Sequence, residues 1–161
     1  MCALGISAAA GIRVGYAVGR KNVRATRSAG FSGFYLAAIT MGSFAVLFIA
    51  LRFYLPTLYI DNLRVVEIAG SLLIIAALFQ ISDGTQAVGI GVLRGLADAK
   101  VPMVITFIAY WVIGLPGGYL LGFIFKFGVV GIWVSLFIAL TVSAGLLTLR
   151  FNQKSRQRID M

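Results

Sequence analysis

The residue best placed to do chemistry in this sequence is Asp83, a carboxylate near the middle of an apolar run. An ionised acid at membrane depth costs several kcal/mol unless it faces a cavity or a partner, so by default it marks an ion or substrate pathway. Gln80 and Gln86 stand three residues to either side, on neighbouring parts of one helix face. Oxygen ligands suit hard cations such as Na⁺, and a buried carboxylate also takes up a proton readily. The pattern predicts that Asp83, Gln80 and Gln86 bind Na⁺ or H⁺, with Asp83 as the Na⁺ ligand. A buried aspartate hydrogen-bonded to neighbouring helices is the structural alternative.

Two aromatic residues, Tyr110 and Trp111, stand inside a later apolar run. Trp and Tyr usually mark the membrane interface, but Trp111 lies about ten residues into its helix, close to mid-depth. Aromatic faces at that depth can bind cationic ligands. We interpret Tyr110 and Trp111 as the lining of a substrate cavity, with an interfacial aromatic belt as the alternative.

The same run contains Pro116 between Gly114 and Gly118. Proline removes one backbone hydrogen bond and clashes with the preceding turn, which predicts a kink. Small residues spaced by four open a flat face for close helix approach in lipid. These residues are interpreted as a hinge or packing site, and a static kink is equally compatible. The same glycine spacing predicts close helix contacts elsewhere, at Gly11, Gly15, Gly19, Gly91 and Gly95.

The composition predicts that membrane-spanning helices position these residues. Of the 161 residues, 60% are hydrophobic and 12% are charged, about half the charged fraction of a soluble domain. A helix needs about 20 residues to cross the hydrocarbon core. Five apolar runs approach or exceed this length, at residues 1–19, 28–51, 66–93, 101–125 and 128–149. The sequence therefore predicts an all-α polytopic membrane protein, with a helical bundle over residues 1–150 and a basic cytoplasmic tail over 151–161.

The net charge of +9 comes from short basic clusters between the apolar runs. Cytoplasmic loops of membrane proteins carry an excess of Lys and Arg. The first and third connections and the tail are therefore expected in the cytoplasm, and the N-terminus outside. This topology explains the basic balance, so we expect the lipid bilayer as a partner and no nucleic acid. An external N-terminus without a signal peptide suggests that further helices precede this chain.

Catalytic groups in suitable combinations are lacking in the sequence. It has no histidine and a single cysteine, Cys2, which excludes an imidazole base and an internal disulfide. No Gly-rich loop carries the Lys and Ser or Thr of a nucleotide-phosphate site. We expect no enzymatic activity and no cofactor apart from a coupling ion.

Several ordered motifs resemble the C-terminal half of the MATE (multidrug and toxic compound extrusion) family, most closely its NorM-type branch. The likeness extends over nearly the whole chain. The motifs are similar to parts of the family's eighth, tenth, eleventh and twelfth helices, and they lie at residues 5–10, 13–20, 80–95, 98–102, 110–119 and 128–133.

The resemblance implies a twelve-helix fold of two six-helix lobes, in which this chain would supply helices eight to twelve. Members of the family exchange Na⁺ or H⁺ for organic cations and amphipathic drugs by rocking the two lobes. Asp83 matches the acidic residue that NorM-type members use for cation binding. The N-lobe and the seventh helix, which are absent from this chain, would be its partners, and the inner membrane would be its location.

The function predicted from this resemblance is part of a cation-coupled multidrug antiporter. One alternative is a truncated, non-transporting membrane fragment, or a helix-packing partner for another protein. Another is a small channel-like bundle around the polar stripe at Asp83.

Overall fold

Long helices make up almost the whole of the computed structural model, which describes residues 1–60 and 62–157. Five helices are long and apolar enough to cross a membrane. This finding confirms the predicted all-α fold with five candidate membrane spans. The helices are α1 (Cys2–Gly19), α2 (Val23–Ala50), the single-turn α3 (Tyr54–Thr57), α4 (Leu63–Gly95), α5 (Lys100–Ile124) and α6 (Gly128–Gln157).

Tight connections and side-chain caps set the helix ends. The Asn22 side chain accepts a hydrogen bond from the Ala25 backbone N–H at 2.9 Å, and this bond satisfies a free donor at the start of α2. Lys21, just before it, has φ 53°, so the chain reverses within three residues of the end of α1. Lys126 and Gly128 have φ near the same value, 58° at both positions, between α5 and α6. Helices α1 and α2, and likewise α5 and α6, therefore form antiparallel hairpins.

Helix α4 lies at the centre of the bundle, where it packs against α1, α2 and α6, while α5 packs mainly against α6. The Ser7 hydroxyl on α1 donates to the Ala87 carbonyl on α4 at 2.6 Å. Four residues after Ser7 on α1, Gly11 contacts Gly91, which comes four residues after Ala87 on α4. Both helices therefore advance in the same direction, so α1 and α4 are parallel. The basic ends of α1, α4 and α6 consequently lie at the same end of the bundle.

Glycines allow α1 and α4 to approach backbone to backbone. A Cβ atom on Gly11 would lie 2.7 Å from the Gly91 carbonyl oxygen, and Gly15 lies opposite Gly95 in the next turn. A β-carbon at Gly95 would collide with the Gly11 carbonyl oxygen. The sequence expectation of close contacts thus agrees with four of these glycines. Gly19 differs, because nothing lies within 4 Å of its Cβ position.

Helix α6 continues past residue 149, the predicted end of the last span, and reaches Gln157. Residues 150–157 contain no glycine or proline to stop the helix. Phe151 is completely buried, its ring fills the space beside Gly30, and its centroid lies 5.8 Å from that of Phe31. The predicted tail therefore begins as two packed turns of α6, and residues 158–161 lie outside the described part.

Helix α5 is wound unevenly around Pro116. Its first part is α-helical, but the turns at Ala109–Gly114 and Leu120–Ile124 are π-helical. Pro116 lies in the short α-helical segment Leu115–Tyr119 between them. Widened turns re-pair backbone groups around a residue that has no N–H. The sequence predicted a kink at Pro116, and the structure has widened turns on either side of it.

Candidate functional site

Asp83 lies on an exposed face of α4, two-thirds of the way along the helix. Four residues on, Ala87 accepts the Ser7 hydroxyl of α1, and three residues on, Gln86 binds α5. Positions three and four residues apart lie to either side of one helix face, so Asp83 stands between α1 and α5. Its carboxylate makes no hydrogen bond or salt bridge with any residue in the described ranges. Within the described residues Asp83 is thus a carboxylate without a partner, on a surface between helices.

Gln86 is held away from solvent and tied to α5. Its side chain is buried, and its Oε1 accepts a hydrogen bond from the Tyr110 hydroxyl at 3.2 Å. Two residues predicted separately, one as a cation ligand and one as a cavity wall, are therefore in direct contact. Gln80 is placed differently, because its Oε1 is buried and has no hydrogen-bond partner among the described residues. Neither glutamine bonds to Asp83.

Trp111 is exposed and takes part in two cavities along α5. One, of about 390 Å³, lies between α4 and α5 and includes Tyr110, Trp111, Ile90 and Arg94. Ile90 is seven residues from Asp83, about 10 Å along the same face of α4. Asp83 therefore shares a face of α4 with this cavity but is not one of its lining residues. A second cavity, of about 440 Å³, lies against α6 and is lined by apolar residues and by Tyr110, Trp111 and Tyr119.

The three residues predicted as a hinge or packing site divide between the two faces of α5. Gly114 packs against α6, where its Cβ position is 3.3 Å from the Ala139 Cβ. Gly118 is buried, and its Cβ position is 3.9 Å from the Ile132 side chain. Pro116 points outwards and is exposed. The buried Ser135 hydroxyl donates to the Gly114 carbonyl at 2.9 Å, which fastens α6 to the widened turns of α5.

A polar link between α4 and α6 was not expected from the sequence. The hydroxyls of Ser82 and Thr141 lie 3.0 Å apart. Ser82 immediately precedes Asp83, so this bond fixes the rotation of α4 beside the carboxylate. Its sequence signal was weak, because a lone Thr in an apolar run usually bonds its own helix, as the Thr141 hydroxyl also does with the Phe137 carbonyl at 2.8 Å.

A second missed feature is an ionic cluster at the basic end. The Asp98 carboxylate, between α4 and α5, accepts from Lys154 Nζ at 2.9 Å and from Arg150 Nε at 3.2 Å, both on α6. Burial opposes ionisation of Asp98, but the hydrogen bonds and positive charges of Lys154 and Arg150 outweigh it and lower the pKa of the carboxyl group. From sequence, Asp98 was placed in a connection and in a family motif, and Arg150 and Lys154 in the basic tail, without any contact between them.

The chemistry open to this arrangement is reversible binding of a small cation. Within residues 1–60 and 62–157, no three His, Cys, Asp or Glu side chains converge as a metal cluster. A cation at Asp83 would therefore be held by one carboxylate together with neutral oxygens or water, as Na⁺ or a proton can be. Among the described residues of this face, Asp83 is the acidic one, and loading would cancel its charge.

Known proteins share both the sequence and the fold. The MatE family profile matches residues 1–120. The chain is 42% identical over 161 residues to the probable multidrug resistance protein NorM of Mesorhizobium japonicum. The match covers 97% of this chain and 34% of that protein. It is 38% identical to the multidrug resistance protein MdtK of Proteus mirabilis, over 98% of this chain and 35% of that protein. The chain spans about a third of the length of the curated relatives it matches.

Two solved structures have the same fold. The crystal structure of the eukaryotic MATE transporter AtDTX14 superimposes with a TM-score of 0.84 at 24% identity, covering 97% of this chain and 36% of the other. An inward-facing multidrug resistance MATE family transporter of the MOP superfamily gives 0.86 at 17% identity, covering 99% and 37%. With five apolar helices long enough to cross a membrane and a family profile matching residues 1–120, the chain is a multi-pass membrane protein that belongs to the MatE family.

Proposed function

We propose that this chain works as part of a cation-coupled multidrug antiporter, in which Asp83 binds the coupling ion, Na⁺ or H⁺. The exported substrates would be organic cations and amphipathic drugs. The activity is transport, not catalysis, and needs no cofactor beyond the coupling ion.

The observation that carries this proposal is the exposed Asp83 carboxylate inside a membrane-spanning helix, which has no partner among residues 1–60 and 62–157. A charge in that position is stable only next to water, a cavity or a partner, and residues of this kind serve ion and substrate pathways. The neighbouring α4–α5 cavity has two aromatic walls, Tyr110 and Trp111, which suit flat or cationic molecules. Ion and drug would then compete for, or alternate at, adjoining surfaces of α4.

Alternating access moves two halves of a transporter about a central site. This chain corresponds to about a third of its relatives, which are named as multidrug resistance proteins. Transport is accordingly proposed for the whole transporter, in which the remaining helices, the N-lobe and the seventh helix of the family fold, face Asp83. The bundle would lie in the bacterial inner membrane with its basic end in the cytoplasm and the start of α1 directed outwards.

The test is Asp83→Asn in a full-length transporter in which this chain replaces the matching third of the Mesorhizobium japonicum relative. Asparagine keeps the shape of the side chain but cannot carry charge. Export of a cationic dye is measured as its accumulation in inverted vesicles loaded with Na⁺ or H⁺, and it should fall to the level of vesicles without transporter. The amount inserted in the membrane should not change.

Asp83→Glu is the matched control, since it keeps a carboxylate on this turn of α4. We expect it to retain gradient-driven efflux. Undiminished efflux by Asp83→Asn would refute the assignment of the coupling ion to Asp83. Dye-independent flux of Na⁺ or H⁺ through the unmodified protein would instead favour a channel-like bundle.

A further inference from the structure

A cavity of about 510 Å³ lies between α1 and α2 near the basic end of the bundle, away from Asp83. Both walls carry polar groups that the proposed transport does not use. The polar and aromatic lining consists of Arg13, Tyr16 and Arg20 on one wall and Asn22, Ser28 and Ser32 on the other.

The α1 wall presents two guanidinium groups on one helix face. Arg13 and Arg20 are seven residues apart, which is two turns or about 10 Å along the axis. Arg20 is held 4.7 Å above the centre of the Tyr16 ring, which lies between them on the same face. Neither arginine forms a salt bridge with any residue in the described part of the chain. The cavity therefore has two available cations and no acidic residue in its lining.

The α2 wall adds neutral hydrogen-bond donors at the same depth. Gly33 packs against Ala10. Because α1 and α2 are antiparallel, Arg13 then lies opposite residue 30, about midway along the helix axis between Ser28 and Ser32. A hydroxyl in a helix can bond to a carbonyl in the preceding turn, as those of Thr26 and Ser43 do on α2. Among described residues, the hydroxyls of Ser28 and Ser32 make no such bond. They are free to donate to a ligand.

An apolar surface continues from the cavity along the membrane-spanning part of α2. Tyr35, Leu36 and Ile39 follow Ser32 at helical spacing, and all three are exposed. Ile12 on α1 is also exposed beside the cavity. The arrangement therefore pairs a cationic, hydrogen-bonding recess with an adjoining hydrocarbon surface.

We propose that this α1–α2 cavity binds the headgroup of an anionic phospholipid, with the acyl chains along the exposed face of α2. Arg13 and Arg20 pair with the phosphate oxygens, and Ser28 and Ser32 donate hydrogen bonds to the phosphate or the glycerol. Basic recesses between membrane helices recognise headgroups in this way. Two cations without an acid select against zwitterionic lipids, because their ammonium group would meet like charge.

The test measures retention of phosphatidylglycerol and of phosphatidylcholine by the purified full-length protein, using native mass spectrometry and lipid titration in detergent. Phosphatidylglycerol should bind more tightly than phosphatidylcholine. Replacing one basic residue near a membrane surface weakens attraction to anionic lipid about fivefold. Arg13→Gln/Arg20→Gln should therefore lower the phosphatidylglycerol affinity about 25-fold, if the two contributions add.

Arg52→Gln is the matched control, because Arg52 also stacks on an aromatic ring, 4.5 Å from the centre of Phe53, but at the opposite end of the bundle. It should leave lipid binding unchanged. Ser28→Ala/Ser32→Ala keeps the net charge and should still weaken phosphatidylglycerol binding severalfold, which general electrostatic attraction does not predict.

Three results would overturn the proposal: equal retention of the two lipids, no loss of phosphatidylglycerol on changing either pair, or an equal loss in Arg52→Gln. Competition by inorganic phosphate at the lipid's own affinity would also do so, because it would assign the recess to a soluble anion.

Discussion

Removing the carboxylate of Asp98 should destabilise the bundle by about 2 kcal/mol. The Asp98 side chain is 7% exposed, whereas Arg150 and Lys154 are 36% and 26% exposed. A hydrogen bond to a charged group contributes about 1.5–3 kcal/mol when desolvated, and an exposed ion pair about 0–1 kcal/mol. In Asp98→Ala the buried charge disappears and the two cations that remain can be hydrated. The expected loss for two partly screened bonds therefore lies near the lower end of the buried range.

The assay is the free energy of unfolding in mixed micelles, titrated with a denaturing detergent and followed by circular dichroism. Lys154→Ala and the double variant complete a cycle, in which we expect a coupling of about 1 kcal/mol between Asp98 and Lys154. A loss below about 0.5 kcal/mol in Asp98→Ala, which is the usual range of surface substitutions, would refute the reasoning. Zero coupling in the cycle would do the same.

The pH dependence gives a separate check on the same cluster. The pKa of Asp98 is lower in the folded protein than its ordinary value of about 3.9 in an unfolded chain. The stabilisation should therefore be complete above the unfolded value and should be lost as the pH falls through the folded pKa. The difference between the unmodified protein and Asp98→Ala should be equal at neutral and mildly acidic pH, and should shrink only below about pH 4.

Three other substitutions should have measurable effects in the same unfolding assay. Gly91→Val should destabilise by about 1–3 kcal/mol, because it forces α1 away from α4, whereas Gly42→Ala, on an open face of α2, should not. Phe151→Ala should cost about 3–5 kcal/mol by opening a cavity where α6 meets α2. Tyr110→Phe should cost about 1 kcal/mol, because it leaves the buried Gln86 Oε1 without its donor.

Each of these expectations has a contrary outcome. Equal effects of Gly91→Val and Gly42→Ala would show that close backbone approach does not matter at the α1–α4 contact. A loss below 1 kcal/mol in Phe151→Ala would mean that the last turns of α6 are not part of the core. An unchanged Tyr110→Phe variant would indicate that Gln86 finds another donor.

Much of the architecture was predictable because lipid imposes strict demands on sequence. A helix that crosses the membrane must be long and apolar, so the five spans are visible as runs of residues. Their ends were less certain, as α6 illustrates, since the sequence expectation stopped at residue 149 and the helix ends at Gln157. Phe151 is buried by α2, a contact between residues more than a hundred positions apart that no local pattern contains.

The candidate site was likewise predictable from the sequence only in part. Asp83 was conspicuous from sequence because an acid is costly in an apolar helix wherever the neighbouring helices lie. The prediction that Gln80 and Gln86 bind the cation together with Asp83 rested only on their spacing along one helix. In the folded chain Gln86 turns to Tyr110 on α5, and the Gln80 Oε1 is buried elsewhere.

The sequence by itself determined that the chain is a bundle of membrane-spanning helices, which end of it is basic, and that Asp83 is its exceptional residue. These properties depend only on which residues the chain contains and in what sequence they occur. They follow from the free energy of transferring each side chain between water and lipid. Only the tertiary structure decided that Asp83 lies between α1 and α5, with no partner in the described part of the chain. It also decided that Asp98 forms salt bridges with Arg150 and Lys154 on α6. In the same way, it placed Arg13 and Arg20 in one cavity with Ser28 and Ser32. The physical reason is that the rotation and register of each helix depend on its contacts with the others, chiefly the glycine contacts that set α1 against α4.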